Sequence, residues 1–158
     1  MSNHHEQFMR RAIELARQGI DSGAGGPFGC VIVRDGQIVG AGFNRVLADN
    51  DPTAHGEIVA IRDTGRRLAT FRLTGCDLYT TGQPCPMCLS AIYWARIERV
   101  FYGFSVADAA TVGFDDRRVA EELAKPPHER TILQQQLLAD EAREVLTQYI
   151  ADPRRIAY

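Results

Sequence analysis

Two short stretches hold residue types that can do chemistry together: Pro52-Thr53-Ala54-His55-Gly56-Glu57 and Pro84-Cys85-Pro86-Met87-Cys88. They offer one imidazole, one carboxylate and two thiols. In Pro-Cys-x-x-Cys the proline suits the first turn of a helix, and thiols three positions apart then share one face of it. Unpaired backbone N–H groups and the dipole at a helix N-terminus favour thiolate, which suits a soft metal. His55 stands where a second helix can begin, because Ile58, Val59, Ile61 and Leu68 follow at roughly helical spacing. Glu57 is too near in sequence to point the same way as His55, yet near enough to reach a neighbouring atom. With His55, Cys85 and Cys88 as ligands, a zinc ion keeps a fourth tetrahedral position open, where a water becomes a nucleophile. Two thiolates cancel the zinc charge, so the ion acidifies that water less than a three-histidine site would. A base is therefore needed beside it, and Glu57 fits that role.

Blander readings explain less. A redox Cys-x-x-Cys gives His55 and Glu57 nothing to do. A closed structural zinc site needs a fourth ligand, and His4, His5 and His128 belong to no second ligand pattern.

The elements that must position these groups come from a chain of 158 residues, 45% hydrophobic, read as one domain spanning 1–158 that buries about 70% of its unfolded surface. No apolar run approaches the roughly 18 residues of a membrane helix. The N-terminal Met1-Ser2-Asn3-His4-His5-Glu6 lacks the basic and apolar regions of a secretion signal, so a cytoplasmic protein is expected. Its four cysteines do not make a disulfide framework. Cys30 and Cys76 lie in apolar strand patterns and are expected in the core. A net charge of −2 and a pI near 6.1 give no general attraction to nucleic acid.

Phe8, Met9, Ala12, Ile13, Ala16 and Ile20 predict an amphipathic helix over 6–20, ended by a glycine-rich stretch through Pro27. Apolar runs over 28–34 and 37–43, joined by Asp35-Gly36, predict a hairpin. The loop 44–54 leads to the His55 helix, which should end near 65–68. A third strand over 76–81 feeds the second metal helix, which runs through Trp94, and a fourth strand follows over 99–104. A short helix near 106–112, the turn Gly113-Phe114-Asp115-Asp116 and a helix through Leu123 stopped at Pro126-Pro127 come next. Residues 131–138 predict a fifth strand. A last helix over 140–151 should turn Ala142, Val145, Leu146, Tyr149 and Ile150 inward. The expected fold class is α/β, a three-layer α-β-α sandwich around a central mixed five-stranded sheet, with the site at strand ends beside helix N-termini.

H-x-E followed by P-C-x-x-C is the signature of zinc nucleobase deaminases. With Gly25-Gly26-Pro27-Phe28-Gly29, Asn50-Asp51-Pro52-Thr53-Ala54, Ala91-Ile92-Tyr93-Trp94-Ala95-Arg96, Gly113-Phe114-Asp115-Asp116 and the terminal Tyr158, the chain resembles the cytidine-deaminase-like zinc deaminases. Within that superfamily it is most similar to the small bacterial guanine deaminases; the turn and the terminal tyrosine point that way. The resemblance implies a Zn2+ cofactor on His55, Cys85 and Cys88. It makes Glu57 the catalytic carrier that takes a proton from the attacking water and delivers one to the departing ammonia, turning guanine into xanthine. It places Phe28 against the purine, Asn44 at its edge and Asp116 as acceptor for its N–H groups. It implies a small-molecule nucleobase as partner and a homodimer, with the tail over about 152–158, Tyr158 above all, as a lid that can be exchanged between subunits.

Guanine shows an amino group and ring N–H donors on one side, so an acceptor-only carboxylate such as Asp116 suits it better than it suits cytosine. Read as residues alone, Asp115 and Asp116 also fit an ordinary turn or helix cap, Phe28 and Trp94 fit the core, and Asn44 fits a turn. Gly56 and Gln83 depart from the alanine or cysteine and the glutamate usual in the family; the first should widen the pocket and the second removes a charge. Rival activities are deamination of guanosine, adenine, a triazine or a pterin. A tRNA adenosine deaminase would need a basic face for phosphate contacts, which the sparse Arg96, Arg99, Arg117 and Arg118 do not supply. A non-catalytic zinc-stabilised interaction module is the reading from another class.

Overall fold

The computed structural model describes residues 2–157, in two compact units, one reaching to Arg117 and one beginning at Arg118. The first unit runs α1 (Ser2–Asp21), β1 (Gly29–Arg34), β2 (Gln37–Phe43), the one-turn α2 (Val46–Asp49), α3 (Gly56–Leu68), β3 (Cys76–Gly82), α4 (Pro86–Ala95), β4 (Arg99–Phe104) and α5 (Val106–Thr111). Asp35 and Gly36 join β1 to β2 with φ of 51° and 74°. Two left-handed residues in succession make a type I′ turn, whose twist matches that of the strands it connects. Strand order is β2-β1-β3-β4. β1 is antiparallel to both neighbours, while β3 and β4 are parallel and joined through α4.

Alternation along the central strands divides the interior into two cores. Val31, Val33 and Tyr79 meet Phe8 and Leu15 of α1 on one face. Cys30, Ile32, Cys76 and Leu78 meet Ala60 of α3 with Ile92 and Ala95 of α4 on the other. Cys30 and Cys76 are thus fully buried free thiols, as expected. Each large aliphatic side chain buried this way contributes roughly 1.5–3 kcal/mol. An exposed ion pair such as Arg10–Glu6 contributes roughly 0–1 kcal/mol. The two helical layers, not the surface charges, therefore hold the strand ends in place.

Glycine lets those layers approach closely. A Cβ on Gly42 of β2 would lie 2.7 Å from the Ala60 nitrogen and the Gly56 oxygen of α3. One on Gly29 would lie 2.1 Å from the Ala12 oxygen of α1. Both helices rest directly on strand backbone at the end of the sheet from which the His55 loop departs.

The second unit takes in α6 (Arg117–Ala124) from Arg118 onward, a 3-10 turn at Pro127–Glu129 and α7 (Ala139–Ala151). The fifth strand expected over 131–138 does not form, and the sheet has four strands. A strand needs a partner for its backbone groups, and among the described residues this unit holds no other strand. The run Gln134-Gln135-Gln136 also interrupts alternation. Side chains tie the segment instead: Thr131 N–H donates to Glu122 Oε2 at 2.7 Å, and the Arg130 guanidinium donates to the Leu123 and Lys125 carbonyls. The inward face expected for α7 is corrected as well. Ala142, Val145, Leu146, Tyr149 and Ile150 are all exposed, because periodicity reveals an apolar stripe without saying what covers it. Tyr158 lies outside the described residues. Among the described residues no helix is long and apolar enough to cross a membrane.

Replacing Gly42 with alanine should lower the unfolding free energy by about 1–3 kcal/mol, since the methyl group meets backbone that cannot turn aside. Urea denaturation followed by circular dichroism measures it, and an unchanged midpoint would show that α3 is free to lift off β2.

Candidate active site

Two helix starts build the site. β3 feeds Gln83-Pro84 into α4, where Cys85 is the N-cap and Pro86 the first helical residue. The proline that suits the first turn is therefore Pro86, whose missing N–H costs nothing at that position. The free Cys88 N–H donates to Cys85 Sγ at 3.5 Å. His55 caps α3 in extended backbone, so its side chain leaves the helix axis before the first turn is closed.

His55 Nδ1 lies 3.6 Å from Cys85 Sγ and 3.5 Å from Cys88 Sγ, and the three ligand atoms all fall within 4.8 Å of one another. Zinc–sulfur and zinc–nitrogen bonds of ordinary length at tetrahedral angles put sulfur and nitrogen about 3.6 Å apart. The set therefore fits one tetrahedral ion, and two sulfurs with one imidazole suit zinc. Contact between the two thiols holds Cys85 down to about 4 and pushes Cys88 up. A divalent ion bound between them would leave both sulfurs as thiolates. The Cys85 contact raises His55.

Glu57, in the first turn of α3, is only 4% exposed. Burial pushes its carboxyl above the ordinary range. Its Oε2 lies 3.5 Å from Cys88 Sγ, so the carboxylate does reach the metal triangle although its residue is two from His55. Its Oε1 accepts a hydrogen bond from Thr80 Oγ1 at 3.2 Å.

A second cluster surrounds Phe28. Its ring meets Phe114 edge-on with centroids 4.9 Å apart and Phe104 at 5.7 Å. One hydroxyl holds the backbone on either side: Thr81 Oγ1 accepts from Gly29 N–H at 3.1 Å and donates to the Pro27 carbonyl at 3.2 Å. Asn44 N–H donates to the Phe28 carbonyl at 2.8 Å. Buried Asn44 accepts through Oδ1 from the Gly26 and Val46 N–H groups, which leaves its side-chain amide N–H groups to donate elsewhere. The two clusters touch at Gly56, where a Cβ would lie 3.0 Å from the Phe28 oxygen. The wider pocket expected from this glycine is therefore not found; the space a methyl group would take faces backbone already in place. Gln83 accepts from Val106 N–H at 3.4 Å, a bond its amide oxygen makes without the charge of a glutamate.

The Gly-Phe-Asp-Asp turn divides its roles. Asp115 accepts from the Arg117 N–H and pairs with its guanidinium, which holds that carboxyl down to about 2, so Asp115 ties the turn to the start of α6. The carboxylate of half-buried Asp116 has no hydrogen bond or ion pair among the described residues. Phe114, two residues earlier, meets Phe28 edge-on and so ties this turn to the site. Sequence reasoning missed Thr80, Thr81, Phe104 and Phe114 as parts of the site. The available signal for the threonines was a pair of hydroxyls at the end of a strand just before the cysteine motif.

Thr81→Val should cost about 1–3 kcal/mol by leaving the Gly29 N–H and Pro27 carbonyl unpaired, and Thr81→Ser should recover most of it. Denaturant midpoints of the two variants compare them directly; equal midpoints would show that the hydroxyl carries no clamp.

Residues 2–104 match the model of the cytidine and deoxycytidylate deaminase zinc-binding region. The chain is 53% identical to guanine deaminase of Bacillus subtilis over 129 residues, covering 82% of this chain and 83% of that protein. It is 38% identical to the tRNA-specific adenosine deaminase of Haemophilus influenzae over 128 residues, covering 77% and 73%. The crystal structure of the Bacillus subtilis guanine deaminase superposes with a TM-score of 0.93 at 46% identity over 98% of each chain. A matching zinc-binding region, a His-Cys-Cys triangle of tetrahedral dimensions and a shared fold converge on one conclusion: the chain belongs to the cytidine and deoxycytidylate deaminase zinc-binding family.

Proposed function

We propose that this protein is a zinc-dependent aminohydrolase that converts guanine and water into xanthine and ammonia. The observation that carries the reading is the buried Glu57 carboxylate held 3.5 Å from Cys88 within the His55, Cys85 and Cys88 triangle. The identity to a guanine deaminase over four-fifths of the chain supports the choice of base.

His55, Cys85 and Cys88 would hold the ion, which would supply Lewis acidity for a nucleophilic water at neutral pH. The chain's own residues do the rest. Glu57 receives protons from the water and returns them: a C–O bond forms at C2 of guanine, the exocyclic C–N bond breaks, and one water proton ends on ring N3 and the other on the departing nitrogen. Phe28, braced by Phe104 and Phe114, stacks on the purine. Asn44 has only donors left and meets an acceptor on the purine edge, while Asp116 accepts from the guanine N–H groups. A base without those groups leaves the Asp116 carboxylate unpaired in the closed site, which is strongly disfavoured.

The whole chain works as one deaminase domain in the cytoplasm, with the tail over 152–158 and its Tyr158 closing the site, and the exposed apolar face of α7 is covered in a homodimer with exchanged tails. A long apolar stripe left in water is an interaction surface rather than a resting state, which supports the dimer.

Ammonia release by zinc-loaded protein is measured with guanine, guanosine, adenine, cytosine, an aminated triazine, a pterin and an anticodon stem-loop carrying adenosine. Guanine should be the substrate turned over, and Glu57→Gln should lower kcat by about 10²–10⁴-fold with zinc content unchanged. Turnover of another member without guanine would retire the purine contacts while keeping the zinc chemistry. Asp116→Asn should raise KM for guanine more than it lowers kcat; an unaltered KM would remove Asp116 from the site.

A further inference from the structure

Thr80 is fully buried near the end of β3, a strand paired on both sides, and alternation sends its side chain toward the core that holds α3 and α4. A threonine on a central strand has a stiff χ1, so its hydroxyl is a fixed point. Glutamate is the opposite: three torsions separate its carboxylate from the backbone, and the two oxygens exchange by rotation of the last. In this structure the fixed hydroxyl donates to Glu57 Oε1 at 3.2 Å, while Oε2 lies 3.5 Å from Cys88 Sγ. The Thr80 proton has no other acceptor among the described residues. One oxygen is thus tied to the sheet and the other is aimed at the metal triangle.

We infer that Thr80 is the positioning residue for Glu57: its hydroxyl pins Oε1 to β3 so that Oε2 stays within proton-transfer reach of the reacting water. The inference rests on the assignment of Glu57 as proton carrier. Proton transfer requires heavy atoms about 2.6–3.2 Å apart, and a misplacement of about 1 Å costs on the order of 10²-fold in rate. Substrate binding is assigned to Phe28, Asn44 and Asp116, whereas the Thr80 hydroxyl bonds Glu57, so its effect belongs on kcat and not on KM. A hydroxyl that merely satisfied a buried acid would act on stability and leave that ratio alone.

The test compares Thr80→Val, Thr80→Ser and Glu57→Gln with the parent protein, all zinc-loaded, on guanine. Thr80→Val should lower kcat about 10- to 100-fold, with KM within about twofold and zinc per chain unchanged. Thr80→Ser should restore kcat to within about threefold of the parent, because it keeps the hydroxyl. A crystal structure of Thr80→Val should show the Glu57 carboxylate turned away from Cys88. The inference is overturned if Thr80→Val keeps its kcat, or if Thr80→Ser is as impaired as Thr80→Val while Glu57→Gln is inactive. If Glu57→Gln turns over guanine normally, the assignment of Glu57 fails and that of Thr80 with it. Should Thr80→Val not fold, Thr80→Ala carries the same expectation, and failure of both beside a folded Thr80→Ser would make the bond structural and sink the inference.

Discussion

The structure depends on two helix N-termini meeting at one point. α3 brings His55 and Glu57, α4 brings Cys85 and Cys88, and neither helix by itself holds enough donors for a metal ion. Both present free N–H groups and the positive end of a dipole there, each favouring negative charge nearby by roughly 0.3–1 kcal/mol. That pull is too small to bring two helices together against the disorder of the loops between them. Burial of Ala60, Ile92 and Ala95 against the sheet does so, and the ligands arrive in register because both helices sit on the same face of it.

Holding that meeting point to a fraction of an ångström is the task of strand ends. Gly42 lets α3 rest on β2, and the Gly56 oxygen is one of the atoms a side chain at 42 would strike. The Phe28 carbonyl in turn faces Gly56, so the metal helix and the wall that bears Phe28 are in direct backbone contact. Threonine hydroxyls fill the remaining polar positions. Thr81 satisfies two backbone groups of the Phe28 loop, and Thr80 satisfies one oxygen of Glu57. No buried side-chain nitrogen or oxygen among the described residues lacks a partner. In a dry interior an unpaired polar atom costs about 1–3 kcal/mol, so each of these bonds restrains the position of its neighbours as well as its own.

The second unit obeys different rules. α7 carries a full apolar stripe that stays in water in the single chain, and Ile132, Leu133, Leu137 and Leu138 before it are more than two-thirds exposed. Such a segment has bought no burial of its own, and its order depends on what covers it.

That His55, Glu57, Cys85 and Cys88 come together was legible in the amino-acid order, because helix starts are local and a motif of three to six residues fixes which side chains share a face. The same holds for the Asp35-Gly36 hairpin, the four strands and the buried Cys30 and Cys76, all set by periods of two or 3.6 residues. What needed the tertiary structure is whatever depends on a distant partner. The strand over 131–138 was apolar enough to be one but has no neighbour to pair with. The missing methyl group at Gly56 meets the Phe28 carbonyl rather than open space. The division of labour between Asp115 and Asp116, and between Thr80 and Thr81, follows from which groups lie opposite each hydroxyl or carboxylate. Sequence determined which residues could do the chemistry because that is a matter of residue type and short-range geometry; only the packing of sheet against helices decided which of their atoms face each other.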